Sequence, residues 1–427
     1  MLVNNRQHSC YSSVPTLAKY YTTLTHRMAP PDFPFARDHD YQPPSLNQKL
    51  RHECPATKVK LYDGSESWLF LKHKDICQAL SSEHLSADRR TPGYPEIHSG
   101  GHKAKEAHPT FVNLDNPEHN KQRNMLEDAF TPEAIEKLKP MIQETVNHVI
   151  DDFVKKYQEQ NSPIDLIEEL ATPIPTQIIY RVLGVPDKDI PRLSQDSAVR
   201  TGTSRTAAEQ SNQNLQDYMA SLVDTRIEKP QDDMISKLTS EQYHNGRLSR
   251  DDIVQISFMI LTAGNAALIN SIGLGVLTLL QHPDQLDELK KDSSLAPQVV
   301  NELLRYNTTS ALNSRRAVLS DTQIGGVTVH KGESVICSVQ SGDRDEDKTE
   351  KPELFDIHRK YSGEDVLGFG YGPHRCLGEA LSRAELEAVF ATLFQKAPEL
   401  KLAVKFEALE FSDPKQNAGV TKLPVTL

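Results

Sequence analysis

The longest run of apolar positions in the chain extends from residue 253 to residue 280 and predicts a buried helix. Ser249–Asp252 precedes the run with the residue pattern of a helix N-cap, and His282–Pro283 marks its end. Apolar residues occupy nearly every face, so we expect this helix to cross the core. Asn265 and Asn270 interrupt the run, which argues against a membrane span.

Helical periodicity predicts further helices along the middle of the chain, near residues 132–160, 165–184, 187–199, 206–228, 283–291 and 295–306. Strand patterns occur in three other places. They predict a hairpin at 56–72 that turns at Asp63-Gly64, short strands at 315–340, and a β segment after residue 398. Residues 86–110 are polar and interrupted by glycine and proline, and they predict a mobile surface loop.

A glycine-punctuated loop at 369–378 holds one cysteine and opens into an amphipathic helical run at 379–396. A thiolate is favoured at a helix N-terminus, where backbone N–H groups and the positive end of the helix dipole meet it. Gly372 permits a tight turn, and Gly378 lets the backbone approach a flat partner. His374 could reach a carboxylate on that partner. The loop is therefore typical of a haem site, and a buried structural cysteine is the alternative.

The overall composition indicates a globular chain that can bury a large core and a cofactor. The sequence has 427 residues, of which 37% are hydrophobic and 25% charged, and its net charge is −11. The acidic balance argues against nucleic acid or an anionic membrane as a partner. Five cysteines without C-x-x-C spacing argue against a disulfide scaffold or a zinc site, and they favour a reducing compartment.

The N-terminal residues 1–31 contain no Asp or Glu and are rich in Ser, Thr and Tyr. This composition is typical of a mitochondrial transit peptide, and a disordered tail explains it equally well. Met28 could serve as an internal start. We therefore expect a mitochondrial protein if residues 1–27 are a transit peptide, and a cytosolic one if translation starts at Met28.

The cysteine loop and two upstream features together resemble the cytochrome P450 family. The residues that carry the resemblance are Phe369, Gly372, His374, Cys376, Gly378, the pair Glu302 and Arg305, and Ala263-Gly264. The resemblance runs from about residue 32 to the end. It implies a single P450 haem domain over 32–427, mainly α with a small β-rich lobe, shaped like a triangular prism around a long distal helix.

The resemblance also implies the cofactor and the residues that hold it. It implies haem b, with Cys376 as the axial ligand of the iron. It gives Glu302, Arg305 and Arg359 a structural role as a buried ion-pair network behind the loop. It assigns four side chains to the haem propionates, where charge-assisted hydrogen bonds suit their chemistry. These side chains are His119, Arg123, Arg316 and His374.

The distal helix departs from the usual pattern of the family, in which an acid followed by an alcohol delivers protons for oxygen activation. The corresponding residues are Ala266 and Ala267, and neither can carry or relay a proton. The chain is more similar to the fungal nitric oxide reductase branch, in motifs spread over nearly its whole length. These motifs are residues 33–35, 109–112, 263–266, 281–286, 294–297 and 309–312.

That branch implies the reaction 2 NO + NAD(P)H + H⁺ → N₂O + NAD(P)⁺ + H₂O. It implies that NADH or NADPH enters the haem pocket and acts without a redox-protein partner, in a protein that we expect to be a monomer. Ser310 matches a hydroxyl that the branch uses for a proton and water network. The short side chains at 263–267, with Asn265 and Ala267 as the predicted catalytic positions, would leave space for the nicotinamide ring.

Arginines are the predicted binding groups for the dinucleotide. No G-x-G-x-x-G motif follows a strand, so the pyrophosphate needs another anion site, and the arginine fork pairs well with phosphate oxygens. An ordinary surface charge is the alternative for each arginine. The predicted liners of a distal entrance are Arg89, Arg90, Arg200, Arg205 and Arg315.

Two positions differ from the fungal branch. It usually has a threonine at the position of Ala267 and an acid at that of Asn417, and both belong to the nicotinamide contact or the proton route. We expect slower turnover or an altered cofactor preference. Two other functions stay open: a monooxygenase or peroxygenase acting on a small organic substrate, and a non-catalytic haem protein that binds NO. Denitrification and NO detoxification are both compatible with the predicted reaction.

Overall fold

The structure is a computed structural model that describes residues 29–38, 41–99, 101, 105–106, 108–200, 205–310, 312, 314–361 and 365–427, without the side chains at 196–200, 205–208 and 264. The predicted N-terminal segment 1–27 and Met28 lie outside these residues. The division between a leader and a domain beginning at residue 32 therefore stays a prediction.

Helices form most of the described chain, as the apolar periodicity predicts. In chain order they are α1 Ser45–Glu53, α2 His73–Leu80, α3 Glu118–Glu127, α4 Pro132–Gln160, α5 Pro173–Leu183, α6 Ile190–Arg200, α7 Arg205–Glu228, α8 Met234–Leu238, α9 Arg250–Gln281, α10 Pro283–Lys291, α11 Ala296–Asn307, α12 Val339–Gly342 and α13 Glu379–Lys396. The sequence did not predict the short helices α1, α8 and α12, which have too few turns to show a periodicity.

The strands are short and form four small sheets. They are β1 Ala56–Lys60, β2 Glu66–Phe70, β3 Leu85–Ser86, β4 Ile164–Asp165, β5 Arg315–Val318, β6 Thr322–Ile324, β7 Val327–Val329, β8 Ser334–Cys337, β9 Lys401–Leu402, β10 Glu410–Phe411, β11 Val420–Lys422 and β12 Pro424–Thr426. The largest sheet has the order β1-β2-β8-β5-β3, and the predicted hairpin pairs Ala56 with Phe70 in antiparallel register. The other sheets are β6-β7, β10-β11 and β4-β12-β9.

Helix α9 is the centre of the helical part. Ser249 and Asp252 form the predicted capping box, in which each side chain bonds the backbone of the other residue. The helix packs against α5, α7, α11 and α13. By length and composition α9 could cross a membrane, but 59% of its most apolar window is buried inside the protein. Packing in the core therefore accounts for its apolar character, as predicted.

The segment between β3 and α3 differs from the predicted polar surface loop. Ala87, Tyr94, Glu96 and Ile97 are buried, and Glu96 is only 4% exposed. The prediction of a polar surface loop was wrong for this part of 86–110. Glu96 can be buried because it pairs with a buried arginine that is distant in the sequence. The described chain is otherwise mainly helical with a small β region, which confirms the predicted fold class.

Candidate functional site

The cysteine loop enters α13 through two tight turns. Gly370 and Gly372 have φ values of +75° and +71°, in the left-handed region that favours glycine. A Cβ at Gly372 would lie 2.8 Å from the carbonyl oxygen of Leu80. The backbone N–H of Cys376 donates to the carbonyl of Phe369 at 2.9 Å, which closes the loop. The predicted role of Gly372 as a turn residue is confirmed.

Ion pairs hold the loop to the first turns of α13. Arg375 contacts Glu379 at 2.7 Å and also donates to the carbonyl oxygen of Gly370 at 3.1 Å. Arg383 contacts the same Glu379 at 2.9 Å, and its guanidinium lies 5.2 Å from the ring centre of Phe369. Glu379 also places a negative charge in the first turn, where the helix dipole favours it.

Cys376 borders a cavity of about 580 Å³. The residue lines this cavity and has exposed surface, although protein surrounds its thiol closely. Burial raises the pKa of the thiol, while the backbone N–H of Gly378 lowers it. A Cβ at Gly378 would meet no atom within 4 Å, so the backbone there leaves open space. A flat ligand bound by the sulfur would find room beside it.

Four basic side chains gather around one end of the cavity, and they are the four predicted to bind propionates. The ring of His119 packs against that of His374 in a tilted arrangement, with ring centres 4.1 Å apart and 45° between the ring planes. Arg123 donates to the carbonyl oxygen of Arg375 at 2.8 Å, which ties this cluster to the cysteine loop. Burial, followed by the nearby charges of Arg316, His119 and Arg123, lowers the pKa of His374 to about 3.

Anions compensate this basic cluster only in part, since Glu127 contacts Arg123 at 2.8 Å. Arg316 is buried and lines the cavity, and it forms no ion pair with any described residue. Its side chain donates to the carbonyl of Arg315 at 2.8 Å, and burial lowers its pKa. The Nε2 of His119 is buried without a hydrogen-bond partner among the described residues. A buried cation without an anion is costly, so the cluster fits a ligand that carries carboxylates, as haem does.

The predicted ion-pair network behind the loop is confirmed. Arg305 and Glu302 are buried and lie 2.8 Å apart, and Arg359 contacts Glu302 at 3.4 Å. Glu302 also accepts hydrogen bonds from the Tyr361 hydroxyl and from the backbone N–H of Asp356. Tyr361 was missed because no sequence spacing links it to the pair. The full set of partners satisfies a carboxylate that would otherwise be unstable inside the fold.

Arg315 and Arg316 are neighbours on β5, and only one of them faces the cavity. Successive side chains of a strand point to opposite faces, so the two cannot share a role. Arg315 is buried and pairs with Glu96 at 3.3 Å, and its guanidinium lies 5.7 Å from the ring centre of Tyr94. It does not line the cavity. Arg315 therefore lies in an ion pair outside this lining, and its predicted role at a dinucleotide entrance stays a prediction.

The other predicted arginines are also separated from one another. Arg89 lines the cavity, and its Nε is buried without a hydrogen-bond partner among the described residues. Arg90 is exposed and pairs with Asp88 at 2.6 Å, outside the cavity lining, and its role at an entrance likewise stays a prediction. The side chains of Arg200 and Arg205 lie outside the described residues. Arg89 is thus the predicted dinucleotide ligand that the structure places at the cavity.

The wall formed by α9 carries the predicted distal residues. Ala263, Asn265 and Ala267 line the cavity, and Ser310 lines it from the segment after α11. Ala266 does not line it. Asn417 accepts a hydrogen bond from the backbone N–H of Leu312 at 3.2 Å, so the C-terminal tail does return to the segment that holds Ser310.

The sequence did not predict several polar residues that line the cavity, among them Ser271, Thr309 and Glu385. Ser271 and Thr309 make a hydroxyl contact of 3.2 Å, and Glu385 is a buried acid on α13. Ser271 lies one helical turn beyond Ala267, a spacing that sequence reasoning could have inspected. The pairing with Thr309 and the burial of Glu385 depend on how distant segments pack.

Comparison with known proteins gives the following similarities. The cytochrome P450 family model matches residues 182–397. Cytochrome P450 55A3 of Fusarium lichenicola is 44% identical over 397 residues, which cover 92% of this chain and 97% of that protein. Pentalenic acid synthase of Streptomyces avermitilis is 34% identical over 93% of this chain and 98% of that protein. The crystal structure of cytochrome P450 MoxA from Nonomuraea recticatena superposes with a TM-score of 0.88 at 33% identity, over 92% of this chain and 98% of that one.

Proposed function

This chain belongs to the cytochrome P450 family, and from that premise we propose that it reduces two molecules of NO to N₂O with electrons taken directly from NADH or NADPH. The P450 fold predicted from the sequence is confirmed by the family match and the superposition. Family membership also implies haem b. When bound, haem would supply the redox chemistry of a thiolate-ligated iron, with Cys376 as the ligand.

The observation that carries the proposal is the composition of the distal wall. Oxygen activation needs protons delivered beside the iron, and the family usually provides an acid and an alcohol there. In this chain Ala267 lines the cavity at that place, and Ala266 precedes it. Reduction of NO cuts no O–O bond and consumes one proton for each pair of NO molecules, so the loss of the acid is compatible with it. The short side chains leave space for a nicotinamide ring.

The chain's own residues would hold both cofactors by charge. Arg316, His374 and Arg123 would bind the propionates of the haem through charge-assisted hydrogen bonds. Arg89, with its free Nε at the cavity, would bind a phosphate oxygen of the dinucleotide. Ser310 borders the same space and would hold an ordered water or donate a hydrogen bond there. Placement and proximity are what these residues contribute to the rate.

The similarities agree with a fungal reductase and also support a second function. Identity to the Fusarium protein, at 44%, exceeds the 34% identity to pentalenic acid synthase, which agrees with the fungal motifs of the sequence. The bacterial protein nevertheless matches nearly the whole chain. A monooxygenase whose organic substrate supplies the missing hydroxyl is therefore the second candidate function.

One experiment separates these functions. The purified holoprotein is mixed anaerobically with NO and either NADH or NADPH, without any redox protein, and cofactor oxidation and N₂O are followed together. We expect one N₂O for each cofactor oxidised. NO binding without cofactor consumption would leave a non-catalytic NO-binding protein. A requirement for a ferredoxin or a reductase, together with oxygen and an organic substrate, would identify the monooxygenase.

A further inference from the structure

One buried carboxyl group lies behind the cavity wall and bonds two residues that line it. Asp343 follows α12 and is only 2% exposed. Its Oδ1 accepts a hydrogen bond from the backbone N–H of Leu367 at 2.7 Å, and its Oδ2 accepts one from the hydroxyl of Thr308 at 2.9 Å. Leu367 and Thr308 both line the cavity, whereas Asp343 does not. A single side chain thus joins two parts of the wall that come from distant segments of the chain.

The first of these parts is the segment that ends α11 and continues to Ser310. Thr308 has a φ value of +37°, in the left-handed region that branched side chains rarely adopt, so the surrounding contacts must hold it there. Its hydroxyl also lies 3.0 Å from the carbonyl oxygen of Arg305. Thr309, the next residue, contacts the hydroxyl of Ser271 on α9 at 3.2 Å. Ser310, at the cavity, therefore follows two residues that side-chain hydrogen bonds hold in place.

The second part is the start of the chain that leads to the cysteine. Leu367 begins a short helical turn that ends at Phe369. The backbone N–H of Gly370 donates to the Leu367 carbonyl at 2.8 Å, and that of Cys376 donates to the Phe369 carbonyl at 2.9 Å. A Cβ at Gly342 would lie 2.6 Å from the Cδ1 of Leu367, so α12 leaves no space for Leu367 to shift towards it. The bond from Leu367 to the buried carboxyl group is therefore the first of a series of hydrogen bonds that ends at Cys376.

The Asp343 carboxyl group titrates near neutral pH, so its geometry can be tested separately from its charge. Burial raises the pKa of Asp343 to about 7, while its two hydrogen bonds and the nearby charges of Arg305 and Arg344 lower it. The side chain of Asn has the same shape as that of Asp. Its oxygen would accept from the Leu367 N–H, and its NH₂ group would donate to the Thr308 oxygen. Asp343→Asn therefore keeps both contacts and removes the charge.

We propose that Asp343 is a positioning residue that sets the distance between the cysteine loop and the segment of Ser310, and with it the width of the cavity between them. Asp343 does not line the cavity, so it would act through Thr308 and Leu367 rather than by contact with a ligand. A change at one of these partners must then reach the other through the carboxyl group. The proposal requires haem, which the family implies, and does not depend on a reaction with NO.

The test uses the holoprotein and two substitutions that remove different bonds. Asp343→Ala removes both hydrogen bonds, whereas Thr308→Val keeps the shape of the side chain and removes only the bond from its hydroxyl. We expect the Leu367 amide to exchange its hydrogen about tenfold faster in both variants, because in Thr308→Val the carboxyl group loses its second partner. The C–O stretching band of the ferrous–CO complex, which reports the surroundings of the bound ligand, should shift in both. Asp343→Asn should keep the exchange rate and the band close to those of the wild type.

Asp345→Ala is the matched control. Asp345 is also 2% exposed, and it accepts hydrogen bonds from the backbone N–H of His73 at 2.8 Å and from Lys72 at 3.0 Å, neither of which lines the cavity. Its loss should lower the stability of the protein and leave both the Leu367 exchange and the C–O band in place. Equal changes in Asp345→Ala and Asp343→Ala would mean that loss of any buried acid in this segment has the same effect, and the proposal would fail.

Three further results would overturn the proposal. They are wild-type exchange of the Leu367 amide in Thr308→Val, an unshifted C–O band in Asp343→Ala, and a band shift in Asp343→Asn as large as in Asp343→Ala, which would show that charge matters rather than position. If Asp343→Ala does not fold, Thr308→Val provides the test, because it removes one hydroxyl group only. Neither measurement uses NO or a nicotinamide cofactor, so failure of the proposed function would leave this test unaffected.

Discussion

The cysteine loop and the α9 wall border the same cavity, but they are built by different means. In the loop, the Cys376 N–H is bonded to a carbonyl, and Arg375 and Arg383 both pair with Glu379. In the wall, Ala263 and Ala267 present no polar side chain to the cavity. The loop is held in one fixed geometry. The wall provides space, and the alcohol of Ser271 lies one helical turn beyond the position where the family has an alcohol.

This difference shows which half of the site is common to the family and which is particular to this chain. The loop presents a cysteine that tight turns and ion pairs hold in place, as a thiolate-ligated haem requires. It therefore provides the chemistry that is common to the family. The wall has alanines where the family usually has an acid and an alcohol, so under the proposed function it is the part that selects the reaction. Changes in the loop should therefore abolish haem binding or haem chemistry, whereas changes in the wall should alter rates.

The largest effect is expected from Cys376→Ala. Removal of the thiolate should abolish both N₂O formation and the thiolate-type absorption spectrum of the ferrous–CO complex. Cys77→Ala is the control, because Cys77 is half-buried beside His73 and lies outside the cavity lining. A thiolate-type spectrum that survives in Cys376→Ala would show that another residue is the ligand.

The second effect concerns the buried pair behind the loop. Arg305→Met leaves Glu302 without its closest cation and two backbone carbonyl oxygens, those of Asp343 and Pro352, without a donor. Breaking a buried pair in this way costs about 3–5 kcal/mol of unfolding free energy. Urea unfolding of the holoprotein, monitored by circular dichroism, measures the loss.

Lys121→Ala is the control for that measurement. Its ion pair with Glu118 is exposed on α3, and such pairs contribute about 0–1 kcal/mol. Equal losses in both variants would mean that the network of Glu302 and Arg305 is no more important than a surface pair. The comparison between loop and wall would then lose its structural basis.

The third effect should separate haem affinity from protein stability. Arg316→Met removes a buried cation that has no ion-pair partner among the described residues. The haem-free protein should not lose stability, because the desolvated charge is gone. Haem should dissociate at least about tenfold faster, because a hydrogen bond to a charged group contributes about 1.5–3 kcal/mol. Haem transfer to an acceptor protein measures the dissociation rate.

Arg315→Met provides the contrast within the same strand. Arg315 pairs with the buried Glu96 and does not line the cavity, so its loss should destabilise the protein. Haem release should then increase only to the extent that the fold opens. If Arg315→Met releases haem faster than Arg316→Met, the assignment of the two neighbouring arginines is reversed.

These arginines also show the limits of what the sequence predicts. The cysteine loop, the capped helix α9 and the hairpin at 56–72 were predicted correctly, because their signals are contiguous or periodic. The triad of Glu302, Arg305 and Arg359 followed from the family resemblance. The ion pair of Arg315 could not be predicted because its partner, Glu96, lies 219 positions away, in a segment that looked like a polar loop.

The sequence also did not predict that the hydroxyls of Ser271 and Thr309 meet at the cavity, for a related reason. Ser271 and Thr309 are 38 positions apart, and nothing in either local pattern indicates that their hydroxyls meet. Glu385 lies in a helix with several charged residues, where an exposed position would have been the ordinary expectation. Only the packing of α13 shows that its carboxyl group is buried without a partner. The sequence shows that position 267 has no alcohol, but it could not predict that the hydroxyls of Ser271 and Thr309 meet nearby.

The fourth effect tests the entrance of the distal side. Arg89→Ala removes the guanidinium that has an unpartnered Nε at the cavity. We expect KM for NAD(P)H to rise about tenfold with little change in kcat, since a charge-assisted hydrogen bond is worth about 1.5–3 kcal/mol. Arg90→Ala should leave KM unchanged, because Arg90 already pairs with Asp88 outside the cavity lining. Equal effects of the two substitutions would indicate general electrostatic attraction rather than a binding contact.

The smallest effect is expected from Ala267→Thr, which restores the alcohol of the fungal branch to the wall. If the hydroxyls of Ser271 and Thr309 already deliver the proton, the hydroxyl added at position 267 should change the rate of N₂O formation less than about threefold. In the Ser271→Ala background the same substitution should recover about tenfold, because the new hydroxyl would replace the one removed. The four rates form a double-mutant cycle, and coupling between the two positions is the expected result. A large gain from Ala267→Thr alone, with no coupling to Ser271, would mean that the wall lacks a proton path and that its alanines limit the reaction.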